Sequence, residues 1–112
     1  MNKRIVKEAA SYKVEIFIAG DLFQAQNACR AFCDAEGLCV TVTQTAYVYT
    51  GGVENGVTIG LINYPRFPKE QDFIWETAEN LAEVLKTALG QGSYTIQDHI
   101  HSMFVSTRDQ DQ

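Results

Sequence analysis

The apolar and polar positions along the chain follow two alternating periods, which predict strands and helices in turn. Apolar residues recur at every second position in four segments, as in half-buried strands. Between these segments, apolar residues recur three and four positions apart, as on one face of an amphipathic helix. The predicted strands are residues 12–19, 38–50, 57–64 and 94–106, and the predicted helices are residues 22–36 and approximately 69–89.

Helix and strand boundaries are marked by residues that favour caps and turns. Asp21 with Gln24 three residues later is a capping pair, and Gly37 is placed to end the first helix. The segment 51–56 contains Gly-Gly and Asn-Gly, which predict a hairpin turn between the second and third strands. Pro65 and Pro68 end the third strand, because proline cannot continue a strand ladder.

The element order is therefore β-α-β-β-α-β, which predicts an α+β fold. Right-handed crossovers place both helices on the same face of the sheet. The expected architecture is a ferredoxin-like sandwich with a four-stranded antiparallel sheet and two helices on one face. We expect one domain spanning residues 1–112, with flexible ends at 1–10 and 107–112.

Length and composition exclude several classes of protein. A chain of 112 residues with 46% hydrophobic residues has room for one core and is too apolar to be disordered. Its net charge of −5 argues against nucleic-acid binding through a general basic surface. No apolar run reaches the ~20 residues of a membrane helix, and no secretory signal is visible. Three cysteines without such a signal predict reduced thiols and a cytoplasmic protein.

The helix-free face of the predicted sheet is expected to mediate self-association. Tyr47 and Tyr49 lie on this face together with several threonines and few charges. A sheet face with exposed aromatic residues needs a cover, and a second copy of the chain supplies one. The two tyrosines can either pack in an interface or stack on a ligand between subunits. Trp75 is either a lid on the core or an interface anchor.

The sharpest local pattern is His99-Ile100-His101. In a strand, residues two apart share a face, so the two imidazoles would lie side by side. Such a pair can bind Cu or Zn, with Cys39 as a further ligand. The favoured interpretation of the pair is two ordinary polar side chains on a partly exposed strand, and the favoured interpretation of Cys39 is a small buried side chain. Because G-x-S-x-G and H-E-x-x-H are both absent, no catalytic motif points to an enzyme.

Three segments of the chain resemble the CutA family of divalent-cation-tolerance proteins. Residues 37–42, Gly-Leu-Cys-Val-Thr-Val, are similar to the strand entry of that family, with Cys39 at the cysteine position. Residues 45–51 are similar to its Ser-x-Tyr-x-Trp-x-Gly hairpin, with Tyr49 at the tryptophan position. Residues 92–96 are similar to its His-Pro-Tyr-Glu-Val run, with Tyr94 at the tyrosine position.

This resemblance implies a homotrimer of ferredoxin-like subunits that binds a divalent metal or a small molecule between subunits. The expected metal ligands are His99, His101 and Cys39. The expected ligand or interface residues are Tyr47, Tyr49, Tyr94 and Trp75. The alternatives are a regulatory protein, viral or host, that binds a protein partner through its exposed sheet face, and a small enzyme with its active site between subunits.

Overall fold

The computed structural model describes residues 3–112, and Met1 and Asn2 lie outside the described residues. Five strands, two helices and one short 3₁₀ turn follow one another along the chain. They are β1 (Lys13–Ala19), α1 (Leu22–Glu36), β2 (Thr41–Tyr49), β3 (Gly52–Ile62), α2 (Gln71–Ala88), β4 (Ser93–Gln97), β5 (Ser102–Ser106) and the turn Asp109–Asp111. The fold is therefore α+β, as the sequence predicts.

All five strands form one antiparallel sheet in the order β2-β3-β1-β4-β5. Strand β1 is central, and Ile16 is paired with Ile59 of β3 on one side and with Ile96 of β4 on the other. Strands β2 and β3 form a long hairpin of nine paired positions, from Thr41 opposite Gly60 to Tyr49 opposite Gly52.

Alternating side chains of the central strands build the core against the two helices. Val14, Ile16 and Ile18 of β1 are buried, whereas Lys13, Glu15 and Phe17 between them are more exposed. Helix α2 covers the buried side with Leu81 and Leu85, both fully buried. No polar or charged residue of the described chain is buried, so this face of the sheet contributes stability through apolar packing.

The caps of α1 lie where the sequence predicts them. The Asp21 carboxylate accepts a hydrogen bond from the Gln24 backbone N–H at 3.0 Å. Gly37 ends the helix with a φ of 71°, a left-handed conformation that glycine adopts without steric cost. Its backbone N–H donates to the Cys33 carbonyl at 2.8 Å.

The predicted four-stranded sheet is wrong in strand number, because the predicted last strand is a hairpin. Asp98 ends β4, and its carboxylate accepts hydrogen bonds from the backbone N–H groups of Ile100 at 2.9 Å and His101 at 2.7 Å. The Asp98 N–H donates in turn to the His101 carbonyl at 2.9 Å. This closed turn separates β4 from a fifth strand that extends the sheet by one edge.

The predicted turn at residues 51–56 is also wrong in extent. The chain reverses at Thr50 and Gly51, and β3 already begins at Gly52. Asn55 and Gly56 lie inside β3, where Gly56 is paired with Ala19 of β1 and Thr45 of β2. The Asn-Gly pair therefore has no role in this turn.

The end of the chain is held against the sheet by hydrogen bonds. The Thr107 N–H donates to the Gly92 carbonyl at 2.8 Å, and the Ser106 hydroxyl donates to the Asp111 carboxylate at 2.5 Å. Neither helix of the described chain combines the length and apolar content needed to cross a bilayer.

Candidate functional site

The helix-free face of the sheet contains the candidate functional site. Both helices pack on the other face, with the buried core residues. On the helix-free face, the pairing aligns Phe17 of β1 with Thr58 of β3 and with Thr95 of β4, and Thr95 with Phe104 of β5. The side chain of Phe104 is 59% exposed. An open sheet surface with aromatic and hydroxyl side chains is thus available for binding.

Three glycines along β3 leave this part of the face without side chains. Gly52, Gly56 and Gly60 are four residues apart, so all three lie on the helix-free side. A Cβ at Gly56 would lie 2.3 Å from Cε2 of Tyr47 and 2.8 Å from the Ile18 carbonyl oxygen. A Cβ at Gly52 would lie 2.9 Å from the Tyr49 hydroxyl. The glycines therefore allow both tyrosine rings to lie flat against the strand.

Tyr47 and Tyr49 flank a carboxylate on this face. Tyr47 is directly opposite Glu54 in the β2–β3 pairing, and its hydroxyl donates to the Val57 carbonyl at 2.6 Å. Burial raises the pKa of Tyr47, so its hydroxyl stays protonated at neutral pH and remains a hydrogen-bond donor. The Glu54 carboxylate raises the pKa of the exposed Tyr49. The site therefore presents one negative charge between two neutral phenols.

A shallow groove runs across the face beside Glu54. Its walls are aromatic, acidic and basic, and it is open to solvent. The lining side chains that carry these properties are Phe17, Tyr47, Glu54, Phe104 and Arg108. The ion pairs within residues 3–112 are Lys13 with Glu15 and Lys86 with Glu83, so the charges of Glu54 and Arg108 are not used by ion pairs in this part of the chain.

Arg108 reaches the groove from the end of the chain. Its Cγ would lie 2.7 Å from a Cβ at Gly92, so the aliphatic part of Arg108 lies across that glycine. Its backbone N–H donates to the Ser106 hydroxyl at 3.1 Å, which fixes the start of the tail. The groove thus combines flat aromatic surface with an anion and a cation. It suits a ligand with an aromatic ring and a positively charged part.

Of the other predicted ligand or interface residues, Tyr94 lines this groove although its ring is almost fully buried, and Trp75 lies away from it. The Tyr94 ring is only 5% exposed and lies in the core on the helix-covered face, where its hydroxyl donates to the Glu83 carboxylate at 2.5 Å. Burial raises the pKa of Tyr94 well above its ordinary range. Trp75 packs on the edge of the core, edge-on to the His101 ring with centroids 5.1 Å apart.

The predicted arrangement of His99 and His101 on one strand face is wrong, because both lie in the β4–β5 turn. His99 packs edge-on to Tyr12 with ring centroids 6.0 Å apart, whereas His101 packs on Trp75. Within residues 3–112, His, Cys, Asp and Glu side chains form no group of three or more arranged to hold a metal ion. The structure therefore gives no support to a Cu or Zn site formed by His99, His101 and Cys39.

Cys39 lies on the other side of the molecule, in a mostly apolar cleft with Leu61, Tyr64 and Phe73. A hydrogen bond with Cys39, together with burial, raises the pKa of Tyr64 to about 12. Of the three free thiols, Cys39 is exposed, Cys33 is half-buried and Cys29 is buried.

Four residues of the groove were not predicted from the sequence as site residues: Phe17, Glu54, Phe104 and Arg108. A signal for Phe17 was present, since its position in β1 falls on the same side of the strand as the polar residues Lys13 and Glu15. Glu54 was hidden because the segment 51–56 was predicted to be a turn. Phe104 and Arg108 could not be placed without the fifth strand.

Comparisons with known proteins find similarity in fold alone. No protein-family model and no curated protein sequence matches the chain. Two solved structures of a phage SAM lyase resemble the fold along nearly the whole chain. The apo structure matches with a TM-score of 0.68 and 17% identity, over 94% of this chain and 98% of that chain. The structure in complex with S-methyl-5'-thioadenosine matches with a TM-score of 0.64 and 13% identity, over 95% and 97%.

Proposed function

We propose that the chain is a small enzyme, built on a ferredoxin-like core with one added strand, that cleaves S-adenosylmethionine and releases S-methyl-5'-thioadenosine. The observation that carries the proposal is the match to both phage SAM lyase structures from end to end, with almost no unmatched segment on either chain. A small enzyme with its active site between subunits is one of the alternatives that the sequence leaves open.

The groove on the helix-free face fits this substrate in charge and shape. S-adenosylmethionine has a flat adenine ring, a positively charged sulfonium, an ammonium group and a carboxylate. Phe17 and Phe104 offer aromatic surface for adenine, and base–aromatic stacking contributes about 1–3 kcal/mol per base. Glu54 offers a carboxylate for the positive charges, and Arg108 offers a cation for the substrate carboxylate.

The reaction balances without water or a cofactor. The bond between sulfur and the four-carbon chain breaks, and both electrons go to sulfur, so the charged sulfonium becomes a neutral thioether. The carbon that has lost its bond to sulfur then forms a new bond to another atom of the same four-carbon fragment. Either its carboxylate oxygen bonds to that carbon and closes a lactone ring, or the neighbouring carbon gives a proton to a base such as the Glu54 carboxylate and the electron pair left behind forms a double bond. These two products have the same mass, and NMR distinguishes them.

We propose that a second copy of the chain covers the groove. Ligand sites bury most of the ligand surface, whereas this groove is open in the single chain. The tip of the β2–β3 hairpin also projects apolar side chains into solvent: Val48 is 79% exposed and Val53 is 61% exposed. Contacts between copies would bury this tip and close the groove. Within the described residues, no observation favours the metal-binding function that the CutA resemblance implies.

The test is an incubation of the purified protein with S-adenosylmethionine, followed by mass spectrometry of the products. We expect S-methyl-5'-thioadenosine to form in proportion to enzyme and time. Glu54→Gln should lower kcat/KM roughly 10- to 100-fold, because a charge-assisted contact is lost. Glu15→Gln is the matched control, since Glu15 lies on the same face, outside the groove, beside Lys13 at 3.8 Å.

A second variant tests the aromatic part of the site. Phe104→Ala should raise KM, because it removes a stacking surface, while Phe23→Ala on α1, an even more exposed phenylalanine, should leave KM unchanged. Absence of S-methyl-5'-thioadenosine from a folded sample of the unmodified chain would overturn the proposal. Equal loss in Glu54→Gln and Glu15→Gln would keep the activity but remove Glu54 from the site.

A further inference from the structure

The first described residues form an exposed arm, of which Glu8 lies beside the segment 68–73. All of residues 3–8, here called the N-terminal arm, are exposed, and Ile5 and Val6 are 82% and 63% exposed. In the structure of residues 3–112, these six residues take part in no hydrogen bond or ion pair. The first anchor is Ala10, whose carbonyl accepts a hydrogen bond from the Asn63 side chain at 2.9 Å.

The arm has an unusual composition for this acidic chain. Its sequence is Lys-Arg-Ile-Val-Lys-Glu, so two apolar side chains are flanked by Arg4 and Lys7. Two exposed β-branched residues are costly in water unless they are covered. The chain as a whole has a net charge of −5, so the basic arm is attracted to most of the remaining surface.

A groove whose apolar and acidic side chains are complementary to the arm lies between the helices, on the side away from the candidate active site. It is here called the helix groove. Its lining combines three apolar side chains, here called the apolar floor (Phe32, Leu38 and Phe73), with the carboxylates Glu36 and Glu76 and the polar side chains Thr77 and Asn80. Neither glutamate is part of an ion pair in the described chain. Two carboxylates beside an apolar floor are complementary to two cations beside two apolar side chains.

We propose that the N-terminal arm of one copy of this chain binds in the helix groove of a second copy. Ile5 and Val6 contact the floor formed by Phe32, Leu38 and Phe73, and Arg4 and Lys7 pair with Glu36 and Glu76. The arm leaves the domain beside Phe73 and does not enter the groove of its own chain. The elongated shape, 59 Å by 29 Å by 26 Å, agrees with segments that project from the domain.

This exchange is independent of the proposed enzymatic activity, because it uses the helix-covered side of the molecule. Its first test is the deletion of residues 2–8, which removes no core residue. The unmodified protein should be an oligomer in analytical ultracentrifugation, and the deletion should raise its dissociation constant at least ~10-fold. An unmodified protein with the 12.5 kDa mass of one chain at all concentrations would overturn the proposal, as would a deletion without effect.

A charge exchange then distinguishes binding between copies from binding within one copy. One variant carries Arg4→Glu and Lys7→Glu, and the other carries Glu36→Lys and Glu76→Lys. Each alone places like charges together at the contact of arm and helix groove, so its dissociation constant should rise at least as much as on deletion of the arm. In a mixture, each arm meets a groove of opposite charge on the other variant, so the oligomer should return.

Failure of the mixture to reassociate would show that the arm binds its own groove, and would overturn the proposal. The control for net charge is Asp109→Lys with Asp111→Lys, two changes of the same sign in the tail. If this control variant restored assembly of the arm variant as well as the groove variant does, general charge attraction would be the cause, and the proposal would fail. Circular dichroism of each variant verifies that the fold is intact.

Discussion

The two faces of the same sheet are built from alternating residues of the same strands, yet they have opposite properties. On the helix-covered face, Val14, Ile16 and Ile18 are packed under α2 and almost fully buried. On the helix-free face, Phe17 lies between them in sequence and lines an open groove with Glu54. A single strand therefore supplies the stability of the fold with one side and the binding surface with the other.

This division explains why the site can contain charges. Burial of an unpaired carboxylate in a core costs several kcal/mol, whereas Glu54 lies at the exposed surface, where water solvates its side chain. Strand β3 shows the same alternation. Gly56 lies on the helix-free side, where it leaves room for Tyr47, and its neighbours Asn55 and Val57 lie on the helix-covered side. The comparison predicts that substitutions on one face change stability and those on the other change binding.

The largest expected effect comes from a substitution in the core. Ile16→Ala should lower the free energy of unfolding by about 2–5 kcal/mol, because it leaves a cavity at the centre of the sheet. Its neighbour Phe17→Ala should cost clearly less stability but weaken ligand binding. Urea unfolding of both variants measures the difference. Equal losses would show that the helix-free face also carries much of the stability.

The next effect comes from substituting the glycines of β3. Gly56→Ala should cost about 1–3 kcal/mol, because the new methyl group meets the Tyr47 ring and the Ile18 carbonyl. Gly60→Ala meets only the Thr41 side chain and should cost less. Thermal unfolding of the two variants ranks them. A Gly56→Ala variant as stable as the unmodified chain would mean that Tyr47 is free to move.

A smaller effect is expected at the β4–β5 turn, which joins the two faces at the edge of the sheet. The Ile100 backbone N–H lowers the pKa of Asp98, and the Tyr12 hydroxyl donates to the same carboxylate at 2.8 Å. The pKa is lower in the folded state, so this contribution is present at neutral pH and is lost as the pH falls through the acidic range. Asp98→Asn should flatten the acid limb of a Tm-against-pH curve; an unchanged limb would remove Asp98 as its cause.

The smallest effect is an alkaline loss of stability from the helix-covered side. Burial raises the pKa of the Cys29 thiol from 9.0 to about 11. Because the folded state holds the proton more tightly, the contribution is complete below pH 9 and is lost as the pH rises through 11. Urea unfolding between pH 8 and 11 should show this slope in the unmodified chain and a reduced slope in Cys29→Ala. The exposed Cys39→Ala is the control and should keep the slope.

The sequence predicted the helix-covered face far better than the other. Core positions follow from periodicity, and the caps Asp21 and Gly37 follow from local chemistry, so α1 has the predicted bounds. The fifth strand was missed because a turn made by a side chain, Asp98 bonding to its own following backbone, leaves the strand-like alternation of residues 94–106 intact. The predicted alignment of His99 and His101 on one strand face was wrong for the same reason, because both residues lie in this turn.

The groove could be predicted only in part, for a physical reason. Tyr47 and Tyr49 share a strand, so their common face follows from alternation. Glu54, Phe104 and Arg108 come from three separate segments, and they meet only through strand pairing and the tail. Pairing between distant segments has no local pattern in a single sequence. The CutA resemblance and the trimer that it implies stay predictions.

A titration of the ¹⁵N-labelled protein with S-methyl-5'-thioadenosine, followed by backbone NMR, tests the central claim most directly. The account predicts saturable shifts that cluster at residues of the groove on β1, β2, β3, β4 and β5, centred on Phe17, Glu54 and Phe104. The amides of α1 and of the cleft around Cys39 should stay in place. Shifts confined to the helix-covered side, or no shift at millimolar ligand, would contradict the assignment of the helix-free face as the site.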